Sequence, residues 1–555
     1  MVGHSNSQSR RNLGRAAIIV CAILTGVADV ALTQTNGQGN QGSELSQSWI
    51  GGYWSGKKFI SILVDSKPDA PRAYLLLENS REVQIAGWRL EKNRLGFSIQ
   101  PGSARLSFDG MVDNAIARGT VRDADAQAPF HLLNFRNLST EALDRFAGSY
   151  AFDDRRHLLI QRLGVVLKYE DSQSGRFGVI APIDDSTFVG GPGQLMFDPV
   201  EVTLSFAADG KIIWRNPDGS TRVGRKVIAY REEQIVFQKG GVSLSGTLFL
   251  PSGPGPHPAV VGVHGSGAVD RSGFGAIPAQ LAIEGTAFFA YDKRGAGKST
   301  GSWRDATFET LAGDVRAALT VLAARSDIDR RRIGMWGASQ AGFITPMIAA
   351  GSTDVAFIVL VGPSGLTAAL QETYDDEISL RLAGFSEAIV KRASELQGAI
   401  NNYYRTGEQR EKVEKAINAA RAEPWFAATD LGTGLAALER LPPREAIGET
   451  WWRKIMDYDP TEHWRLVRAP TLALYGECDD SSPAKESARR IGDALEKAGN
   501  RDYTIRLFPM ANHGLWIVRE CFVTDYPQVP GYEAQYLSVM FTWLRRHGFS
   551  GLRPQ

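Results

Sequence analysis

Three stretches of this chain carry a hydroxyl, an imidazole and carboxylates that together could break an acyl bond. The first is Arg332-Ile333-Gly334-Met335-Trp336-Gly337-Ala338-Ser339-Gln340-Ala341-Gly342. The second is Met510-Ala511-Asn512-His513-Gly514, and the third is Glu477-Cys478-Asp479-Asp480-Ser481-Ser482-Pro483. A serine hydroxyl is a poor nucleophile until an imidazole takes its proton, and the imidazole needs a carboxylate to fix its tautomer and stabilise its cation. Around Ser339 a short apolar run leads into small residues, and Phe343-Ile344-Thr345-Pro346-Met347-Ile348 continues as an apolar segment. That order reads as buried strand, very tight turn, helix, with the hydroxyl pushed out at the apex. Small residues are expected at Gly337 and Ala341 because a side chain there would strike the adjacent strand or helix. Ala341 stands where a second glycine is usual, with Gly342 one step later.

The elements that must hold these residues follow from periodicity. From about Glu233 onward apolar strands alternate with helical stretches, which means βαβ units and a mostly parallel sheet. Val242–Pro251 reads as an alternating edge hairpin strand; Pro258–His264 and Thr286–Tyr291 read as buried strands. A helix is predicted over Asp305–Arg325, with Leu311, Val315, Leu319 and Leu322 on one face. Strands at Val355–Val361, Pro470–Gly476 and Tyr503–Phe508 complete the set, and the carboxylate loop and the histidine loop follow the last two. Of the eight histidines, only His264 and His513 end predicted strands here, and His264 precedes the serine.

Taken in this order, residues from about 233 to 550 resemble the α/β-hydrolase superfamily, near the dienelactone-hydrolase and prolyl-oligopeptidase-like branch of bacterial serine esterases and peptidases. The resemblance implies a nucleophile–acid–histidine order of Ser339, Asp479 and His513. Asp479, four residues before Pro483, sits where the family's acid usually sits; Asp480 and Glu477 are the alternatives, Glu477 lying nearer the strand. His264-Gly265-Ser266-Gly267 matches the glycine-rich turn after the third strand, so the backbone N–H groups of Ser266 and Gln340 are the expected oxyanion donors. Asp292-Lys293-Arg294-Gly295-Ala296-Gly297-Lys298-Ser299 resembles the D-x-R-G-x-G-x-S turn of the family, whose carboxylate and guanidinium tie loops together. A phosphate-binding P-loop would need glycine where Asp292 stands, which excludes nucleotide binding there.

The region between the strand at Val355–Val361 and Pro470 is helical in character, with amphipathic stretches at Glu372–Arg405 and Gln409–Glu423. Family members carry a lid at this position, so 365–460 is expected to be a helical cap. Trp425, Phe426, Trp451 and Trp452 punctuate it; they are expected either to pack the cap on the body or to line an apolar acyl or leaving-group pocket.

Ahead of the catalytic unit, 49–138 and 139–230 alternate with period two between Gly, Asn and Pro clusters, the mark of antiparallel meanders. Phe146-Ala147-Gly148-Ser149-Tyr150 echoes the opening of the first module at Gly52-Tyr53-Trp54. Both resemble the lipocalin-like modules attached to some bacterial serine hydrolases, and neither holds an ionisable cluster. They read as accessory domains, with glycan or cell-wall binding the alternative.

The N-terminus reads as a targeting segment. Ser9-Arg10-Arg11-Asn12-Leu13 precedes an apolar run from Ala16 to Ala28. That run is too short to cross a bilayer, which takes about 20 residues, but fits a signal-peptide core. The arginine pair resembles a twin-arginine export signal, a general secretory signal being the alternative. Residues 1–33 are therefore a signal peptide, 34–48 a flexible spacer, and 231–364 with 461–555 the catalytic domain. A formal charge of +1 gives no reason to expect nucleic acid or an anionic membrane as partner, and no span remains once the signal is removed. With three cysteines there is neither a disulfide scaffold nor a zinc ribbon. In an exported protein, however, Cys478 and Cys521 flank converging loops, which leaves two alternatives open, a disulfide between them or two free thiols.

These expectations add up to an exported (periplasmic or extracellular) serine hydrolase of carboxylic esters, needing no metal and no organic cofactor. A serine peptidase of short or Xaa-Pro peptides is the alternative, and a catalytically dead binding protein of the same fold a more distant one.

Overall fold

The computed structural model describes residues 47–552, apart from 56–57, 67–70, 77–80, 102–104, 124–125, 153–155, 430–440 and 523–528. The expected signal segment and nearly all of the spacer lie outside these residues. The chain divides into two compact units, one from Tyr230 to Thr524 and from Ser538 onward, the other up to Ala229 together with Asp525–Leu537.

The N-terminal unit consists of two closed antiparallel barrels of eight strands each, Gln47 to Arg136 and Gly148 to Val227. Closure removes the open strand edges on which other chains could pair. In the first barrel Ile50 stands opposite Leu63 on one neighbouring strand and Leu133 on the other. Alternation sends Trp49, Ile62, Phe97 and Phe108 inward, where the Phe97 and Phe108 rings stack at 4.5 Å. The opposite face puts Ile50, Leu63 and Leu133 against Val166, Val179 and Phe197 of the second barrel. A piece of chain from beyond the histidine loop joins this unit. Phe177 N–H donates to Pro530 O at 3.1 Å and Tyr532 N–H to Gly175 O at 2.9 Å, and the Tyr532 ring meets Phe177 edge-on.

The second unit is built on one eight-stranded sheet. Its strands are β1 (Tyr230–Lys239), β2 (Val242–Pro251), β3 (His257–Val263), β4 (Ala287–Tyr291), β5 (Ile328–Ala338), β6 (Ile358–Val361), β7 (Thr471–Gly476) and β8 (Tyr503–Phe508). Their spatial order is β1-β2-β4-β3-β5-β6-β7-β8. β2 runs antiparallel to both β1 and β4, and every later pairing is parallel. β3, β4, β6 and β7 are buried along their whole length, as continuous apolar runs in a parallel sheet require.

The sheet corrects one expectation. Val242–Pro251 is not the edge strand, because β1 lies outside it. Most of β1 is exposed, and its Arg231-Glu232-Glu233-Gln234 run lacks the apolar pattern from which the other strands are read.

The helices follow the order α1 (Ile277–Ile283), α2 (Phe308–Ala323), α3 (Ala341–Ala349), α4 (Ala368–Leu382), α5 (Glu387–Thr406), α6 (Arg410–Arg421), α7 (Trp451–Ile455) and α8 (Ala484–Lys497). On α2, Leu311, Val315, Leu319 and Leu322 are all buried, the face that their spacing selects. α4 to α7 form the helical insertion between β6 and β7. The single stretch predicted over Glu372–Arg405 is two helices: α4 ends before Gly384, whose φ of +80° reverses the chain, and Ser386 precedes α5.

Cys478 and Cys521 form a disulfide with Cα atoms 4.7 Å apart. It ties the loop after β7 to the segment beyond the histidine loop. Closing a loop of 43 residues is worth about 4 kcal/mol on chain-entropy grounds. The double variant Cys478→Ser/Cys521→Ser is therefore expected to lose about that much stability in denaturant titration. A midpoint unchanged from the oxidised parent would show that the bond contributes nothing.

Candidate active site

Ser339 lies where β5 turns into α3, and its φ of +56° puts a non-glycine residue in the left-handed region. Such a conformation costs about 1 kcal/mol or more and persists only when its surroundings enforce it. Here Ser339 N–H donates to Val361 O at 2.9 Å, the end of β6, and Gly342 N–H donates back to Ser339 O at 2.8 Å. A Cβ on Gly337 would lie 2.5 Å from the Ala341 methyl and 2.8 Å from Val263 O. Only one of that pair can carry a methyl, which is why alanine is tolerated at 341. The second tight position is Gly342, where a Cβ would come 2.7 Å from Pro363 Cβ.

Asp479 and His513 are brought together by the ends of β7 and β8. A Cβ at Gly476 would meet Ala511 O at 2.2 Å, so the two loops press on one another. Cys478 N–H donates to Ala511 O at 3.0 Å. Within the histidine loop, Asn512 Oδ1 accepts from Gly514 N–H and Trp516 N–H, at 3.1 and 3.0 Å. His513 Nδ1–H then donates to Asp479 Oδ2 at 2.7 Å, both side chains being buried. Asp479 Oδ1 accepts from the N–H groups of Ser481 and Ser482, at 2.9 and 2.7 Å.

The imidazole lies over the backbone of Gly362, one residue after the carbonyl that anchors Ser339; a Cβ there would be 2.9 Å from His513 Cε1. Ser339 Oγ and His513 Nε2 are both buried and without a hydrogen-bond partner among the described residues. These are the two atoms that exchange a proton in a nucleophile–base pair, and such contacts often tighten only when substrate is bound. Burial pushes the His513 pKa down, but the charge of Asp479, its hydrogen bond and the charge of Asp480 outweigh it and hold the imidazole above its usual value. Of the alternative acids, Glu477 points away, paired with Lys485 at 2.9 Å. His264 is a buried neutral imidazole that donates Nε2–H to Tyr291 O at 2.6 Å; burial and the charge of Lys293 lower it to about 3.

The turn after β3 approaches the serine directly. A Cβ on Gly265 would be 3.7 Å from Ser339 Cβ, and Gly267 has a φ of +86°. Neither Ser266 N–H nor Gln340 N–H donates to a backbone carbonyl among the described residues. Asp292 and Arg294 have the tying role expected of them. Asp292 accepts from Arg271 N, Nε and one terminal nitrogen and from Lys298 N–H, all at 2.8 to 2.9 Å. Arg294 forks onto Asp314 at 2.7 and 2.6 Å. Sequence reasoning passed over Lys293 between them. Its buried ammonium donates to Gly265 O, Gly267 O and Gln340 Oε1.

The four aromatics of the insertion pack within or against the apolar core. Trp425, Phe426 and Trp452 are buried in the core cluster, with Trp452 Nε1–H on Asn401 Oδ1 and Trp451 Nε1–H on Ala306 O, both at 2.9 Å. These are the positions of packing residues. Among the described residues, no group of three or more His, Cys, Asp or Glu could hold a metal ion.

Residues 260–523 match the model of the alpha/beta hydrolase family. Strand order, elbow and match agree: the domain that begins with β1 has the α/β-hydrolase fold. Among solved structures the chain is similar to the α/β-hydrolase GrgF from Penicillium sp. sh18 (18% identity, 57% of this chain and 99% of that one, TM-score 0.37). It is also similar to proline iminopeptidase from Mycobacterium smegmatis (18%, 57% and 98%, 0.36) and to the Pyrococcus furiosus esterase Pf2001 (13%, 57% and 93%, 0.34). A search of the curated proteins returned no match.

Because Asp479 raises the His513 pKa, Asp479→Asn should lower it. The acidic limb of kcat/KM, which reports deprotonation of the free imidazole, is expected to move to lower pH in that variant. kcat should fall by about 10⁴. An unmoved limb would show that another group carries the titration.

Proposed function

We propose that the protein is an exported serine hydrolase that cleaves carboxylic esters through an acyl-enzyme, with Ser339 as nucleophile, His513 as general base and acid, and Asp479 as its orienting carboxylate. The observation that carries this reading is the left-handed Ser339 at the end of β5, placed against Gly265. The buried His513–Asp479 pair ends the strands beyond it.

In this reading Ser339 Oγ attacks the substrate carbonyl carbon while His513 Nε2 takes its proton. The carbonyl oxygen becomes an oxyanion, held by Ser266 N–H and Gln340 N–H. Collapse breaks the acyl–oxygen bond, and the leaving alcohol takes the proton from His513. Water, deprotonated by the same imidazole, then releases the acid and restores Ser339. The helical insertion serves as a cap over this edge of the sheet. Export is supported by the N-terminal targeting pattern and by the Cys478–Cys521 disulfide, since disulfides persist in oxidising compartments.

Ser339→Ala is expected to lower kcat by on the order of 10⁶. It should also abolish covalent labelling by a fluorophosphonate, which the parent shows. Retention of most turnover would sink the assignment. On leader-free protein, p-nitrophenyl esters from acetate to palmitate should be hydrolysed and aminoacyl- and Xaa-Pro-p-nitroanilides should not. Efficient anilide cleavage would place the protein with the peptidases instead.

A further inference from the structure

We propose that Lys293 is a positioning residue of the oxyanion hole, clamping the turn after β3 to the nucleophile loop so that the N–H groups of Ser266 and Gln340 keep one separation. The inference rests on the acyl-enzyme reading above. It adds to that reading a side chain outside the triad and outside the two backbone donors.

The argument starts from hydrogen-bond counting. An ammonium has three N–H groups and no acceptor. Lys293 has three oxygen partners: Gly265 O at 2.8 Å, Gln340 Oε1 at 2.9 Å and Gly267 O at 3.1 Å. Two of these carbonyls flank Ser266, and the third partner is the side chain of Gln340 itself. One buried group thus ties the peptide that carries Ser266 N–H to the side chain of the residue that carries the other donor, Gln340 N–H. A neutral amine has only two N–H groups and would leave one of the three oxygens without a donor. Burial lowers the lysine to about 7, whereas three oxygens at hydrogen-bond distance stabilise its charged form.

The scaffold holding Lys293 is itself rigid. Lys293 N–H donates to Val269 O at 3.1 Å. The residues on either side are pinned by charge, Asp292 on Arg271 and Arg294 on Asp314. The amine is therefore delivered from the end of β4 on a backbone that cannot easily retreat. A lysine needed only to fill space would not require three convergent acceptors, and burying its charge without them would be costly. Oxyanion stabilisation depends on donors already in place when charge develops. Loosening the clamp should therefore raise the barrier to acyl transfer more than it weakens ground-state binding.

The test uses the full leader-free chain and compares Lys293→Met with Gln340→Met, which removes the side-chain acceptor but keeps the backbone N–H. The two readouts are kcat and KM on p-nitrophenyl acetate and the inhibition constant of a trifluoromethyl ketone, whose serine adduct carries the oxyanion. For Lys293→Met, kcat should fall and trifluoromethyl ketone binding should weaken in parallel, each by about 10- to 100-fold, with KM nearly unchanged. Gln340→Met should shift both in the same direction by a smaller factor, and the double variant should lose less than the product of the two. If Lys293→Met does not fold, Gln340→Met alone decides. Unchanged trifluoromethyl ketone affinity in a folded variant, or a loss shared equally by KM and kcat, would overturn the proposal. Failure of the parent to be labelled by a fluorophosphonate would instead overturn the acyl-enzyme reading on which it rests.

Discussion

The catalytic domain depends on one tight steric fit, the turn that carries Ser339. A left-handed serine between a strand and a helix is unfavourable by itself. It holds because β6 supplies a carbonyl for Ser339 N–H, and because Gly337 and Gly342 leave no Cβ where Ala341 and Pro363 must pass. The same closeness brings β3 against β5, so that the glycine turn after β3 reaches the serine. Parallel pairing from β3 outward puts the carboxyl ends of β3, β5, β6, β7 and β8 on one edge. The residues found there come from four loops far apart in sequence. The strain at Ser339 is thus the local expression of a constraint that the whole sheet satisfies.

Buried charge is arranged with comparable economy. Three consecutive residues after β4 are ionisable, and each has its own partners: Asp292 with Arg271, Lys293 with two carbonyls and an amide oxygen, Arg294 with Asp314. Buried ion pairs add little net stability, because desolvation offsets their attraction. Their directional geometry does fix which loop meets which. His264, which bonds the end of β4, avoids the problem by staying neutral and using its N–H on the Tyr291 carbonyl.

What the sequence makes legible follows from how strongly each feature is coded locally. Buried parallel strands are apolar runs, and the runs at β3, β4, β6 and β7 stand out for that reason. The serine elbow is a pattern of small residues, and the histidine and acid are found by what terminates a strand. β1 escapes detection because an edge strand carries Arg231, Glu232 and Glu233 toward solvent, and only pairing with β2 makes it a strand. The break between α4 and α5 rests on one glycine inside an otherwise helical composition. Lys293 escapes for another reason. Two of its three partners are main-chain carbonyls, which no side-chain pattern records. Trp425 and Trp452 would look the same in sequence whether they line a pocket or fill a core, and only their burial and the Asn401 partner of Trp452 distinguish the two.

The insertion between β6 and β7 does more than add bulk beside the site. From α4, Tyr374 OH donates to the carbonyl oxygen of Asp479 at 2.8 Å. Burial, with the charges of Asp479 and Asp480, pushes that phenol's pKa well up, so it remains a donor. The acid loop is therefore held from three directions: by its own turn at Ser481 and Ser482, by the disulfide at Cys478, and by a helix of the insertion. A carboxylate gripped in this way cannot follow a substrate. Ser339 Oγ and His513 Nε2, by contrast, have no hydrogen-bond partner among the described residues. In the proposed acyl-enzyme reaction a carboxylate held on three sides would stand beside an imidazole that first receives a proton and then returns it.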